Sequence, residues 1–122
     1  MANDKIKKIV DKVKGKKAKV KPIKTEPEGT KASKLPPDVV EALETEFGAD
    51  LKKARVHVGG NAGDICKELG AKAFAMGPNI YMAKPGDAKN KELLAHELTH
   101  VIQQAGGKKL PKEQKGKVLV SK

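Results

Sequence analysis

Aromatic residues, cysteine and long apolar runs are all scarce in this chain of 122 residues, which has two Phe, one Tyr, no Trp and one Cys. A single cysteine excludes an internal disulfide framework, and we expect Cys66 to be a small core residue. No apolar run follows the basic N-terminus, and none is long enough to cross a membrane. Neither a secretory signal nor a membrane span is therefore predicted, and the chain is expected to be cytosolic when made.

Positive charge, in contrast, is plentiful and unevenly spread. The formal net charge is +11, and residues 1–24 carry +8 of it, with ten lysines against two aspartates. Apolar residues at helical spacing in residues 1–14 predict a short basic helix that would be marginal alone. We interpret residues 1–34 as a flexible basic arm and linker, either a docking segment or a solvated tail. Nucleic acid is an unfavoured partner because no aromatic side chain is interleaved to stack on bases.

Residues 35–107 are predicted to be the folded domain. The predicted elements are helices at 36–48, 62–69 and 93–104, a strand at 55–58, and a hairpin at 73–82 with a three-residue turn, Gly77-Pro78-Asn79. The order helix, strand, helix, hairpin, helix indicates a small α+β domain with a short sheet beside the last helix. Residues 108–122 are interpreted as a basic C-terminal tail in which Val118-Leu119-Val120 forms either a terminal strand or part of the tail.

The last predicted helix contains the pattern H-E-x-x-H, formed by His96-Glu97-Leu98-Thr99-His100. Residues four apart lie on one helical face, so both imidazoles can reach a single metal ion with Glu97 beside them. Zinc (Zn2+) suits neutral imidazole and lowers the pKa of a bound water to about 7, where a carboxylate can deprotonate it. The pattern therefore predicts a zinc peptidase in which His96 and His100 are ligands and Glu97 is the catalytic base. A surface helix with two solvated histidines is the alternative.

Three blocks of the sequence resemble the DUF4157 family. They read LPPDVVEALETEFGADLKKARVHVG, LGAKAFAMGPNIYMAKPGD and LLAHELTHVIQQ, and the resemblance covers about residues 35–105. The family comprises HExxH zinc-metallopeptidase-like domains found near or within toxins and cargo of bacterial extracellular contractile injection systems. The resemblance implies a zincin-like fold, a peptide or protein substrate, and the injection-system tube or a toxin as partner. It also implies production in the bacterial cytoplasm and loading into a particle for delivery to a target cell.

The third zinc ligand is left open by the sequence, with His57 the favoured candidate; the alternative for His57 is a strand-end histidine that makes an ordinary hydrogen bond. His57 lies in the VHV segment, at a position that matches the family, and a strand packed beside the motif helix would bring it near the metal. Glu113, thirteen residues after His100, is the downstream alternative. Water or the side chain of a partner remains a further option. Tyr81, on the hairpin, is either a packed strand residue or a hydrogen-bond donor to an oxyanion.

Two functional hypotheses follow from these features. The first is a zinc-dependent metalloendopeptidase that is a toxin or cargo component of a contractile injection system. The second is a non-catalytic cargo or adaptor protein that docks in the particle through its basic arm, with any bound metal serving a structural role.

Overall fold

The computed structural model of the chain describes residues 2–14, 19–48, 50–84, 86, 90–104 and 117–121. Within these ranges the chain forms four helices and six strands, which confirms the predicted α+β class. The helices are α1 (Ala2–Lys14), α2 (Pro37–Phe47), α3 (Ala62–Leu69) and α4 (Lys91–Gln104). The strands are β1 (Lys19–Pro22), β2 (Lys31–Ser33), β3 (Arg55–Val58), β4 (Ala73–Met76), β5 (Asn79–Met82) and β6 (Lys117–Ser121).

The six strands form one sheet in the order β1-β6-β4-β5-β3-β2. Neighbouring strands are antiparallel except β3 and β5, which are parallel and are joined through α3 and β4. A parallel pair requires such a crossover connection. In the β4–β5 hairpin Met76 pairs with Asn79, so the turn consists of Gly77 and Pro78. The predicted three-residue turn was one residue too long, because Asn79 already belongs to β5.

Local signals explain the boundaries of α2 and α3. Pro37 lies in the first turn of α2, where its missing N–H costs no helical hydrogen bond. The helix ends at Gly48, which has a left-handed backbone with φ of 66° and donates its N–H to the Glu44 carbonyl at 2.8 Å. Gly70 ends α3 in the same conformation, with φ of 67°. Both predicted helix ends are confirmed. Glycine is suited to these positions because it adopts the left-handed conformation without a steric penalty.

The sheet has two apolar faces, each with its own core. On the face that we call the α4 face, α1, α2 and α4 pack over strand residues that include Val56, Ala75 and Ile80. On the opposite, α3 face, α3 packs over Phe74 and Tyr81. Successive side chains of a strand point to opposite faces, so a shift of one residue decides which helix a side chain meets.

Residues 2–14 form a packed helix, which differs from the predicted flexible arm. Ile6, Val10 and Val13 are each at most 3% exposed, and α1 contacts both α4 and α2. The apolar spacing was visible in the sequence, but the surface that covers it comes from helices far along the chain. Strands β1 and β2 also join the sheet, through β6 and β3 respectively. The proposed division of the chain at residues 34 and 107 stays a prediction.

The C-terminal residues contribute a central strand. Val118, Leu119 and Val120 lie in β6, between β1 and β4, and are at most 8% exposed. The strand alternative for this segment is therefore the correct one. Glu113, a candidate zinc ligand, lies outside the described residues.

Candidate metal centre on the motif helix

Helix α4 carries the H-E-x-x-H motif and is fixed by its apolar side chains. Leu94, Leu98 and Ile102 are completely buried and belong to the core of the α4 face. Asn90 caps the helix: its side-chain oxygen accepts a hydrogen bond from the Leu93 N–H at 3.1 Å. An N-cap of this kind satisfies a donor that the helix itself leaves unpaired. Packing and capping together set the directions in which the motif residues point.

His96 and His100 lie one turn apart on α4, and their rings approach each other. The ring centroids are 4.9 Å apart and the ring planes meet at 69°. His96 is half-buried, whereas His100 is only 5% exposed. Neutral imidazoles this close on one helical face can each direct a nitrogen to a shared cation. The structure therefore brings together two of the predicted ligands.

Glu97, the predicted base, is completely buried. Burial raises the pKa of its carboxyl well above the usual value of 4.5, because the charged form loses its hydration. Burial, and secondarily the charge of Glu97, also raises the pKa of the Cys66 thiol to about 12. Cys66 itself is a fully buried residue of α3, as predicted. Carboxyl groups with strongly shifted pKa values are found preferentially at functional sites.

A cavity of about 690 Å³ opens beside His96. Its walls come from α1, the turn before β4, the end of β5 and the start of α4, and His96 is part of its lining. His100 and Glu97 are both buried deeper in the fold. The exposed approach to the motif is therefore through His96.

His57, the favoured third ligand, lies on the α3 face, away from α4. Its ring stacks on Tyr81 with centroids 4.6 Å apart. Its Nδ1 is 3.0 Å from Thr30 Oγ1, and its Nε2 is 2.9 Å from Asn79 Oδ1. Both ring nitrogens thus have hydrogen-bonding partners, and the sheet separates the ring from the histidine pair. The structure does not bring His57 to the candidate metal centre, because its neighbour Val56 is the residue that faces α4.

Tyr81 is a packed strand residue. Its ring stacks on Phe74 as well as on His57, with centroids 4.8 Å and 4.6 Å apart, and it is 6% exposed. These contacts place it on the α3 face. The oxyanion role considered for Tyr81 therefore has no support from its position, since α4 lies on the other side of the sheet.

The fit of these residues to zinc is partial. The imidazoles of His96 and His100 are suitable donors, and their separation of 4.9 Å allows both to serve one ion. A catalytic zinc site usually has three protein ligands. Among the described residues, no group of three His, Cys, Asp or Glu side chains is arranged to hold a metal ion. The site as described is thus short of at least one ligand.

A family model described as the eCIS core domain matches residues 34–108, well over half of the chain. The chain belongs to the eCIS core domain family. This family was formerly named DUF4157, so the resemblance inferred from the three sequence blocks is confirmed at the level of family. Membership links the chain to extracellular contractile injection systems. Neither a curated protein nor a solved structure matches it.

Two further findings concern the helices of this eCIS core domain protein. None of its described helices is both long and apolar enough to cross a membrane. Helix α1, which supplies one wall of the cavity, precedes the residues matched to the family. Sequence reasoning missed this wall, although the apolar stripe of residues 6, 10 and 13 was a visible sign that the helix packs against something.

Proposed function

We propose that this eCIS core domain protein is a zinc-dependent peptidase component of a contractile injection system, acting as a toxin or as cargo on a peptide or protein substrate. One observation carries the proposal. The rings of His96 and His100 approach to 4.9 Å on one helix that also bears the buried Glu97, beside a cavity of about 690 Å³. The family link supplies the setting, since it connects the chain with extracellular injection particles.

Each motif residue has a separate role in the proposed reaction. His96 and His100 would hold the metal ion through one imidazole nitrogen each. Zinc, when bound, supplies an electrophilic centre at which the pKa of water falls to about 7. Glu97 takes the proton from the attacking water and passes it to the leaving amine. In the zinc-free chain, burial raises the pKa of this carboxyl well above its usual value. Bound zinc would lower that pKa again, so that Glu97 is ionised and can accept the proton.

The third ligand is proposed to be Glu113. With His57 on the α3 face, Glu113 is the candidate that the sequence analysis leaves within this chain, and a partner's side chain or water is the alternative. Replacing Glu113 by Gln should weaken zinc binding without unfolding the protein. Unchanged zinc affinity in this variant would assign the third position to water or to a partner.

The mechanism is tested by measuring zinc content, melting temperature and peptide cleavage in the same set of variants. We expect zinc to raise the melting temperature of the parent protein, and His96→Ala and His100→Ala to abolish that rise. Glu97→Gln should retain zinc and lose cleavage, because the amide cannot accept the proton. The matched control is His57→Asn, which should retain zinc because His57 lies across the sheet.

Two outcomes of this experiment contradict the reasoning. If Glu97→Gln cleaves peptides as fast as the parent protein, Glu97 is not the base. If His57→Asn abolishes zinc binding while the protein remains folded, His57 is a zinc ligand, which contradicts its position on the α3 face.

A non-catalytic cargo or adaptor role is the second candidate, and it is favoured by the burial of both His100 and Glu97. In this case the basic face of α1 would dock the protein in the particle. Lys7 and Lys8 are exposed on α1, whereas its apolar stripe is buried. Replacing both lysines by Gln therefore changes the charge without removing the packing. If this variant loses particle association but still cleaves peptides, the protein is a peptidase with a docking segment. If the variant loses association and the parent protein cleaves no peptide, an adaptor role is supported.

A further inference from the structure

We propose that the cavity beside His96 binds a peptide segment that bears carboxylate side chains, so that the protein selects acidic substrates. This inference rests on the proposed function and specifies its substrate class. It is carried by the charges, the walls and the position of the cavity.

The charges that surround the cavity are mostly positive. Lys12 of α1, Lys72 before β4 and Lys84 after β5 line it, and all three are exposed. Glu92 is the one carboxylate among the described lining residues. Three lysines from three separate segments converge on one space, although they are far apart in sequence. A cleft lined by one sign of charge attracts ligands of the opposite sign.

The walls of the cavity suit a peptide better than a nucleic acid. Ile9 and Val13 of α1 and Leu93 of α4 supply apolar surface between the lysines. The volume of about 690 Å³ lies within the range of about 300–1,000 Å³ that is common for ligand pockets. No Phe, Tyr or Trp lies among the described lining residues, so bases would have nothing to stack on. Apolar walls with charged rims match a segment in which acidic and apolar side chains alternate.

The position of the cavity connects binding with the motif. His96 lines the cavity, and its ring is the more exposed of the histidine pair. A segment held by the lysines therefore passes the accessible side of the candidate metal centre. Because α1 supplies Lys12, Ile9 and Val13, the N-terminal helix takes part in substrate selection.

The test is peptide binding to the full chain without zinc, in the Glu97→Gln background, so that cleavage cannot interfere. The probes are a fluorescein-labelled octapeptide of alternating Glu and Leu and the same peptide with Gln in place of Glu. The cavity variant combines Lys12→Gln, Lys72→Gln and Lys84→Gln. Its matched control changes the same number of exposed lysines elsewhere, namely Lys31→Gln, Lys52→Gln and Lys53→Gln.

We expect the Glu peptide to bind more tightly than the Gln peptide. The cavity variant should weaken its binding by roughly tenfold, since exposed charge pairs are individually weak but three act together. The control variant should bind like the parent. Thermal melting followed by circular dichroism checks that both variants fold, which we expect because the changed lysines are exposed.

Three results overturn the inference. If the cavity and control variants lose affinity for the Glu peptide equally, binding depends on the overall positive charge of the chain and not on the cavity. Equal affinity for the Glu and Gln peptides would remove the role of carboxylates. Tighter binding of a single-stranded oligonucleotide through the same three lysines would make nucleic acid the ligand. If the Glu peptide binds as expected but the parent protein, with Glu97 intact, neither holds zinc nor cleaves peptides, the proposed peptidase function alone is contradicted.

Discussion

Replacing Glu97 by Gln should stabilise the zinc-free protein, and the gain should grow with pH. In the folded chain Glu97 is completely buried, and burial places the pKa of its carboxyl well above the usual value of 4.5. In the unfolded chain the same side chain is hydrated and titrates near that usual value. Between the two pKa values, the folded state holds a proton that the unfolded state has released. The parent protein therefore loses stability as the pH rises from 4.5 through the folded-state pKa.

The size of the effect follows from proton linkage. Within this pH window, one proton bound only by the folded state lowers the free energy of unfolding by up to about 1.4 kcal/mol per pH unit. That is a large fraction of the roughly 5–15 kcal/mol by which a domain is stable. Glutamine has nearly the same shape and no charge, so the variant escapes this loss. Below pH 4.5 the two proteins should have similar pH dependence, because the carboxyl is protonated in both states.

The assay is urea unfolding at several pH values from 4 to 8, with a chelator present because a nearby cation would lower the pKa of the carboxyl. Both proteins retain His96 and His100, so the two profiles differ only through residue 97. Glu41→Gln is the control, since Glu41 is exposed on α2 and keeps its hydration in the folded state. Parallel stability profiles for the parent protein and Glu97→Gln would refute the burial of a protonated Glu97.

Three further predictions test the packing around the site. Val10→Ala should lower the free energy of unfolding by about 1–2 kcal/mol, because Val10 is 1% exposed in the core. Lys8→Ala, on the exposed face of α1, should change it little. Equal effects of the two substitutions in urea unfolding would mean that α1 does not pack. Gly60→Ala should lower the free energy of unfolding by about 1–3 kcal/mol, because Gly60 has a backbone φ of 55° and an added Cβ would collide with the Glu28 carbonyl. An unchanged melting temperature would contradict this close approach. Cys66 should react with iodoacetamide much more slowly in the folded protein than in urea, since it is buried and its thiol pKa is raised to about 12. Equal reaction rates in the two states, measured by mass spectrometry, would contradict its burial.

Elements whose signals are local could be predicted from the sequence. Helices α2 and α3 follow apolar residues at helical spacing and end at Gly48 and Gly70, where glycine adopts a left-handed backbone. Strand β3 was predicted with its observed bounds, and the hairpin was predicted to within one residue. The approach of His96 and His100 is local as well, because helical geometry alone places residues four apart on one face.

Which of these elements pack together depends on long-range contacts that no local signal reveals. The N-terminal helix packs on α4 because both present apolar stripes, but a stripe does not reveal its partner, so the packed helix was interpreted as a flexible arm. Whether His57 can reach the candidate metal centre depends on which face of the sheet α4 covers. Side chains alternate along a strand, and α4 packs on the face of Val56, so His57 points to the opposite side. The cavity beside His96 likewise could not be read from the sequence, since long-range packing brings its walls together from α1, the start of α4 and the residues before β4 and after β5.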